Sequence, residues 1–211
     1  MSKTDTVLKT IGETKVISII RGIEGKDVET LIKALQDGGI NTLEITLNTP
    51  SALAIIEKAR DVGGLTVGAG TVLSLEMARQ SIEAGAQFVL SPSLDTQVIS
   101  YCLAHHVLPV PGIFTPTELY TAYSHGAELL KIFPAGSVGP QYIKDLLGPF
   151  KGMKLLPVGG VSVENTSAFM RSGAYAVGVG SYLASPELVK AGNWKAITER
   201  AKQFIKEAHN V

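Results

Sequence analysis

"HGAELLKIF", residues 125–133, recurs in outline at three other places: "GGINTLEIT" (38–46), "AGAQFVLSP" (84–92) and "SGAYAVGVG" (172–180). Each joins the end of a helical pattern to a short apolar run through a shared glycine, Gly126, Gly39, Gly85 or Gly173. Glycine just past a helix end is the usual stop signal, and a short β-rich run after it reads as a buried strand. Four such junctions make a weak internal repeat. Its unit is two strand–helix pairs, one quarter of an eight-fold structure.

Outward from these junctions the alternation covers the chain. Strands are predicted at 15–22, 42–47, 65–71, 88–92, 108–113, 129–134, 155–160 and 176–181. Helices are predicted at 27–39, 51–62, 74–84, 95–106, 116–125, 140–147, 163–172 and 194–208, and the polar start is helix-like too. An open doubly wound sheet and a closed (β/α)8 barrel both take such a pattern. Eight units in 211 residues fall at the lower end of the barrel range. No linker or composition shift marks a second domain. The expectation is an α/β chain, a single-domain (β/α)8 TIM barrel spanning 1–211 with an N-terminal helix.

Composition narrows the function classes. Hydrophobic residues make up 45% and net charge is zero, which favours a sizeable core and offers nothing to nucleic acid or an acidic membrane surface. Cys102 is the sole cysteine, so no internal disulfide forms, as suits a reducing compartment. No signal-peptide core or transmembrane-length run occurs, and a soluble, cytoplasmic, complete chain is expected.

The repeat also sets a register. Five residues after the shared glycines stand Glu44, Leu90, Lys131 and Gly178. Side chains alternate across a strand, and alternate barrel strands contribute one interior layer, so these four are candidates for one layer. Leu43, Ile45, Leu130 and Ile132 then face the helices. A lysine and a glutamate pointing into one interior form either a buried salt bridge or a catalytic pair. Catalysis explains the placement better. An apolar setting lowers an amine's pKa, the neutral amine can form a Schiff base with a ketone, and a nearby carboxyl can move protons.

Other strand ends fill out a site. Arg21 closes the first strand, and its guanidinium suits a substrate carboxylate, with a surface salt bridge as the plainer alternative. Thr71 ends the third strand, where a hydroxyl binds a substrate oxygen or merely caps the next helix. "VGGVS" (158–162) and "VGVGS" (177–181) end the last two strands, where barrels often bind phosphate on backbone N–H groups. "VGAGTVL" lacks the third glycine of a dinucleotide loop. The four histidines suggest no metal site, and Cys102 reads as an apolar core residue.

With these residues placed, the chain resembles the class I aldolases acting on 2-keto-3-deoxy-6-phosphogluconate, its galactonate epimer and 4-hydroxy-2-oxoglutarate. "LEITLNTP", "GAGTVL", "LSPSL", "PGIFTPTEL", "LKIFPAG", "GPQYIKDLLGPF", "GGVS" and "VGVGS" carry the resemblance from about residue 15 onward. It implies Lys131 as the Schiff-base lysine, Glu44 as the acid/base, and Thr71 as a substrate-binding hydroxyl. Pro92 and Phe133 would shape the pocket, and Gly159, Gly160, Gly180 and Ser181 would hold phosphate. It implies pyruvate and glyceraldehyde 3-phosphate as products of a phosphorylated keto acid, a place in Entner–Doudoroff carbohydrate metabolism, no cofactor, and a homotrimer. Two departures from the gluconate pattern matter. Asn48 stands where many gluconate enzymes carry an arginine, so Arg21 takes the carboxylate. Val158 stands where they read threonine, which is similar to the galactonate branch. The rival readings are a phosphosugar isomerase or epimerase on the same barrel, and an inactive metabolite-binding barrel.

Overall fold

The computed structural model describes residues 2–211. Helix α1 (Lys3–Thr14) opens on a capping box in which Ser2 and Asp5 satisfy each other's backbone N–H groups. Nine strands follow: β1 (Val16–Ile20), β2 (Thr42–Thr46), β3 (Thr66–Gly70), β4 (Phe88–Leu90), β5 (Leu108–Val110), β6 (Gly112–Ile113), β7 (Leu129–Ile132), β8 (Lys154–Pro157) and β9 (Val177–Val179). Between and after them run α2 (Val28–Asp37), α3 (Ala52–Arg60), α4 (Leu75–Glu83), α5 (Thr96–Ala104), α6 (Pro116–Ser124), α7 (Gly139–Leu147), α8 (Val163–Arg171), α9 (Pro186–Lys190) and α10 (Trp194–His209). No described helix is long and apolar enough to cross a membrane.

The four repeated junctions share one physical device. Gly39, Gly85, Gly126 and Gly173 lie at φ +89°, +101°, +92° and +101°, the left-handed region that side chains resist. In each, the glycine N–H donates three residues back, and the next N–H donates five back, as in Ile40 to Leu35 and Ala127 to Ala122. This is the Schellman stop, which turns a helix into the following strand. A fifth junction uses the same bonds with His106 at φ +57°, which is why no glycine marks it.

All strand pairs are parallel, in two sheets ordered β5-β4-β3-β2-β1-β9 and β6-β7-β8. The fold is thus an α/β fold around a curled parallel sheet, rather than the single eight-stranded run expected from the sequence. The difference lies in the predicted strand 108–113, which splits at Pro111. Proline has no N–H to donate to a ladder. Its carbonyl still accepts from Lys131 N–H at 2.9 Å, and pairing resumes at Gly112–Lys131. A lone parallel bridge, Val158–Gly178, joins the other end of the smaller sheet to β9. The short α9 is also absent from the sequence expectation; Ser185 caps it and Pro186 starts it.

Two cores result. Leu43, Ile45, Leu130 and Ile132 pack outward among the helices, as the register expectation requires. Ile17, Ile19, Phe88, Leu90, Leu129, Leu156 and Val158 pack inward. Val7, Leu8 and Ile11 of α1 join this inner cluster, and Tyr175 ties to α1 by donating to the Leu8 carbonyl. The inner face therefore has an apolar base, with the strands' C-terminal ends left for chemistry.

Candidate active site

Lys131 shares its strand face with Leu129 of the inner core. Glu44 occupies the equivalent face of β2, between Ile19 and Gly68 in register. Lys131 is 4% exposed and Glu44 1%. Neither belongs to any of the seven ion pairs among the described residues, and neither Glu44 oxygen has a hydrogen-bond partner. A fold-pinning salt bridge would show the opposite. Burial lowers the Lys131 pKa from 10.5, opposed by the Glu44 charge and assisted by Arg21. Burial raises the Glu44 pKa from 4.5, opposed by Lys131 and Arg21. Desolvation thus dominates both, and favours a free amine beside a carboxyl that can carry a proton.

Above them a cavity of about 390 Å³ opens over the ends of β1, β8 and β9. Arg21, Phe133, Val158, Gly159, Gly160, Gly180 and Ser181 of the predicted site all line it. Lys131 is not among the lining residues, but its Nζ stands 5.1 Å from the ring centroid of Phe133, which is. Glu44, Thr71 and Pro92 lie outside this lining. Arg21 forms none of the ion pairs, so its charge is free for a ligand. Its backbone is braced: buried Thr46 donates to the Ile20 carbonyl and bonds Thr49, whose hydroxyl accepts from Gly22 N–H at 3.0 Å.

The backbone N–H groups of Gly160, Val161, Gly180 and Ser181 have no acceptor among the described residues, whereas that of Gly159 faces the Gly178 carbonyl in the Val158–Gly178 bridge. All of these residues line the cavity, and Gly160 and Val161 stand just ahead of α8, whose N-terminus adds positive partial charge. Such a cradle suits an anion. Gly136 N–H bonds the Gly159 carbonyl at 2.7 Å and holds this loop from behind.

Thr71 does not cap the following helix, because Ser74 does. It instead sits at φ +56°, a rare conformation for a β-branched residue. Sequence reasoning did not assign Ile19 and Tyr182 to the cavity wall. Ile19 was accessible, since it lies one strand period before Arg21; nothing local marked Tyr182. Cys102 is buried and its thiol is pushed up to about 12, so it is no nucleophile. Among the described residues no cluster of His, Cys, Asp or Glu could hold a metal ion.

A family model described as KDPG and KHG aldolase matches residues 7–200. The chain belongs to this aldolase family. It is 31% identical over 202 residues to the 2-dehydro-3-deoxy-phosphogluconate aldolase of Treponema pallidum (strain Nichols), covering 95% of this chain and 96% of that protein. It is 34% identical over 197 residues to the 2-dehydro-3-deoxy-6-phosphogalactonate aldolase of Escherichia coli (strain K12), covering 90% and 93%. Among solved structures, the KDPG aldolase from Legionella pneumophila, with pyruvate captured at low pH as a covalent carbinolamine intermediate, superposes with TM-score 0.87. That pair shares 30% identity over 93% of this chain and 96% of the other. The protein is a class I, Schiff-base-forming aldolase, and so a carbon–carbon lyase.

The aldolase's buried amine has a thermodynamic consequence. Unfolded, Lys131 holds its proton up to the ordinary 10.5; folded, it loses it at lower pH. Between those values the unfolded chain binds more protons, so the destabilisation by Lys131 is full below the window and fades as pH rises through it. Lys131→Met should therefore be more stable to urea than wild type at neutral pH, by about 1–4 kcal/mol. The advantage should shrink as pH approaches 10.5. Equal stability, or an advantage that grows with pH, would contradict a desolvated lysine.

Proposed function

We propose that this aldolase cleaves 2-keto-3-deoxy-6-phosphogluconate or its galactonate epimer to pyruvate and glyceraldehyde 3-phosphate, and also 4-hydroxy-2-oxoglutarate to pyruvate and glyoxylate. The observation that carries this is the buried, ion-pair-free Lys131 beside Glu44, under a cavity with a free arginine and an N–H cradle. Lys131 attacks the C2 ketone to give a carbinolamine, which loses water to form an iminium. Glu44, directly or through a water molecule, takes the C4 hydroxyl proton. The C3–C4 bond breaks, its electrons enter the enamine, and the aldehyde leaves. The enamine regains a proton at C3, and water releases pyruvate and the free amine. No step calls for a metal or cofactor.

Arg21 takes the substrate carboxylate, and Gly159, Gly160, Gly180 and Ser181 take the phosphate. Thr71 supplies a hydroxyl to a substrate oxygen, while Pro92 and Phe133 bound the reacting end. We read the whole chain as one (β/α)8 domain, with β5 and β6 as one strand interrupted at Pro111 and the Val158–Gly178 bridge closing the ring. A homotrimer is the assembly we favour, and exposed Leu73, Phe114, Tyr120 and Tyr123 offer it apolar surface. The cytoplasm is the compartment we assign, because a sugar acid that carries both a phosphate and a carboxylate does not leave the cell unaided.

Borohydride with pyruvate should label the protein at Lys131 and inactivate it, and Lys131→Ala should lose nearly all turnover while staying folded. Mass spectrometry that places the label on another lysine would sink the assignment. Arg21→Ala should weaken pyruvate binding about ten- to a hundredfold, the worth of a charge-assisted contact of roughly 1.5–3 kcal/mol. Normal pyruvate binding with a selective loss for phosphorylated substrates would move Arg21 to the phosphate.

Val158 sets the epimer preference. It lies in the cavity wall beside Gly159, with its methyl packed over Gly178, and offers no hydrogen bond to a C4 hydroxyl. We expect kcat/KM to favour the galactonate epimer or to be indifferent. Val158→Thr should shift the ratio toward the gluconate epimer by about tenfold, one hydrogen bond's worth, provided circular dichroism shows that it folds. A wild type strict for gluconate, with a ratio unmoved by the substitution, would place discrimination elsewhere.

A further inference from the structure

The "GAG" of β3 has no part in the reaction just described, yet its geometry is unusual. Val67 and Ala69 pack outward among the helices, so Gly68 and Gly70 face inward. Neither glycine has the positive φ that would demand glycine, and β3 is regular parallel strand on both sides. Their lack of a side chain is therefore a matter of space. At Gly68 a Cβ would overlap the ring of Phe88, which fills the inner core. At Gly70 a Cβ would overlap Glu44 itself: its Oε1, its carboxyl carbon and its Cγ at 2.6 Å.

The register explains the clash. Glu44 lies opposite Gly68, and Gly70 lies opposite Thr46, nearer the C-terminal end of the sheet. The glutamate side chain runs up from its own strand and lies across the next, in a slot that only a glycine leaves open. The carboxylate makes no hydrogen bond there, so no bond of its own fixes its position.

We infer that Gly70 is a positioning residue for the aldol cleavage: its missing side chain sets where the Glu44 carboxylate rests against the reacting carbons. This rests on Glu44 being the proton carrier. Any side chain at 70 would turn that carboxylate away while leaving the Lys131 amine and the backbone in place. The Gly70 carbonyl, which accepts from Leu47 N–H at 2.8 Å, would be kept. The two closest overlapped atoms belong to the carboxyl end of the side chain and the third is its Cγ, so the fold absorbs the change by Glu44 taking another rotamer.

The test compares Gly70→Ala, Glu44→Gln, Glu44→Asp and the double variant Gly70→Ala/Glu44→Asp on the full-length protein. A misplaced catalytic group loses on the order of a hundredfold in turnover. Gly70→Ala should lose about that much in kcat with a small change in KM, while borohydride still traps pyruvate on Lys131 at the wild-type rate. Aspartate is one methylene shorter: it lacks the two atoms that lie closest to the added Cβ and keeps only the overlap at Cγ. The double variant should therefore be clearly more active than the product of the two single losses, a coupling that a merely structural role would not produce. Turnover of Gly70→Ala within about threefold of wild type, with Glu44→Gln crippled, would overturn the role of Gly70 alone. Glu44→Gln with near-normal turnover would instead remove the proton carrier on which it depends. Loss of pyruvate trapping or of folding in Gly70→Ala, with multiplicative losses in the double variant, would show that the glycine serves the fold and overturn the inference.

Discussion

The constraint on which the rest of the structure depends is the placing of an amine and a carboxyl on one dry face without letting them pair. Two buried charges at hydrogen-bond distance would neutralise each other and leave neither reactive. Here desolvation outweighs mutual attraction at both groups, so each is pushed toward its neutral form. That arrangement destabilises the fold locally, as functional sites commonly do, and surrounding packing must hold it. The inner cluster supplies that packing, with α1 closing its base and Phe88, Leu90 and Leu156 filling the level of the strands.

Parallel strands are well suited to this task. Each presents alternate residues inward, so Glu44 and Lys131 enter the same interior while Leu43, Ile45, Leu130 and Ile132 anchor their strands to the helices. Lys131 is held through its backbone as well, by the carbonyl of Pro111, a residue with no N–H to donate in return. The break in that strand therefore costs the lysine none of its own ladder bond.

Much of this was legible in the sequence, and the reasons are local. The four glycine junctions could be read because Schellman stops need a left-handed residue, and they fixed the register that brought Glu44 and Lys131 to one face. The glycine loops over β8 and β9 were legible for a similar reason. The split of 108–113 was foreshadowed by Pro111, but a proline in an apolar run does not reveal whether the ladder breaks or bends. The fifth junction was hidden because His106 takes the left-handed position. Arg21 was visible as a charge at a strand end, whereas the Thr46–Thr49 brace behind it depends on two elements meeting in space. The slot at Gly70 was least legible. A glycine in a strand reads as a weak point, and only the neighbouring strand's glutamate gives it a purpose.

Arg21 adds the last electrostatic element. Burial alone favours a neutral amine but also a protonated Glu44, which could not accept the C4 proton. The Arg21 charge lowers the pKa of both groups, so it assists burial at the lysine and opposes it at the glutamate. At the lysine it adds to burial and favours the free amine; at the glutamate it offsets only part of the burial, whose net effect still raises the pKa. A carboxylate bound to Arg21 would cancel much of that field, and Glu44 would then hold a proton more readily. The change has the sense required for cleavage: a carboxylate that takes up the hydroxyl proton must next hold it while the aldehyde departs, and then return it to the enamine. One arginine at the mouth of the site thus moderates the effect of burial on Glu44 and, in the proposed reaction, releases that effect once its own charge is matched by substrate.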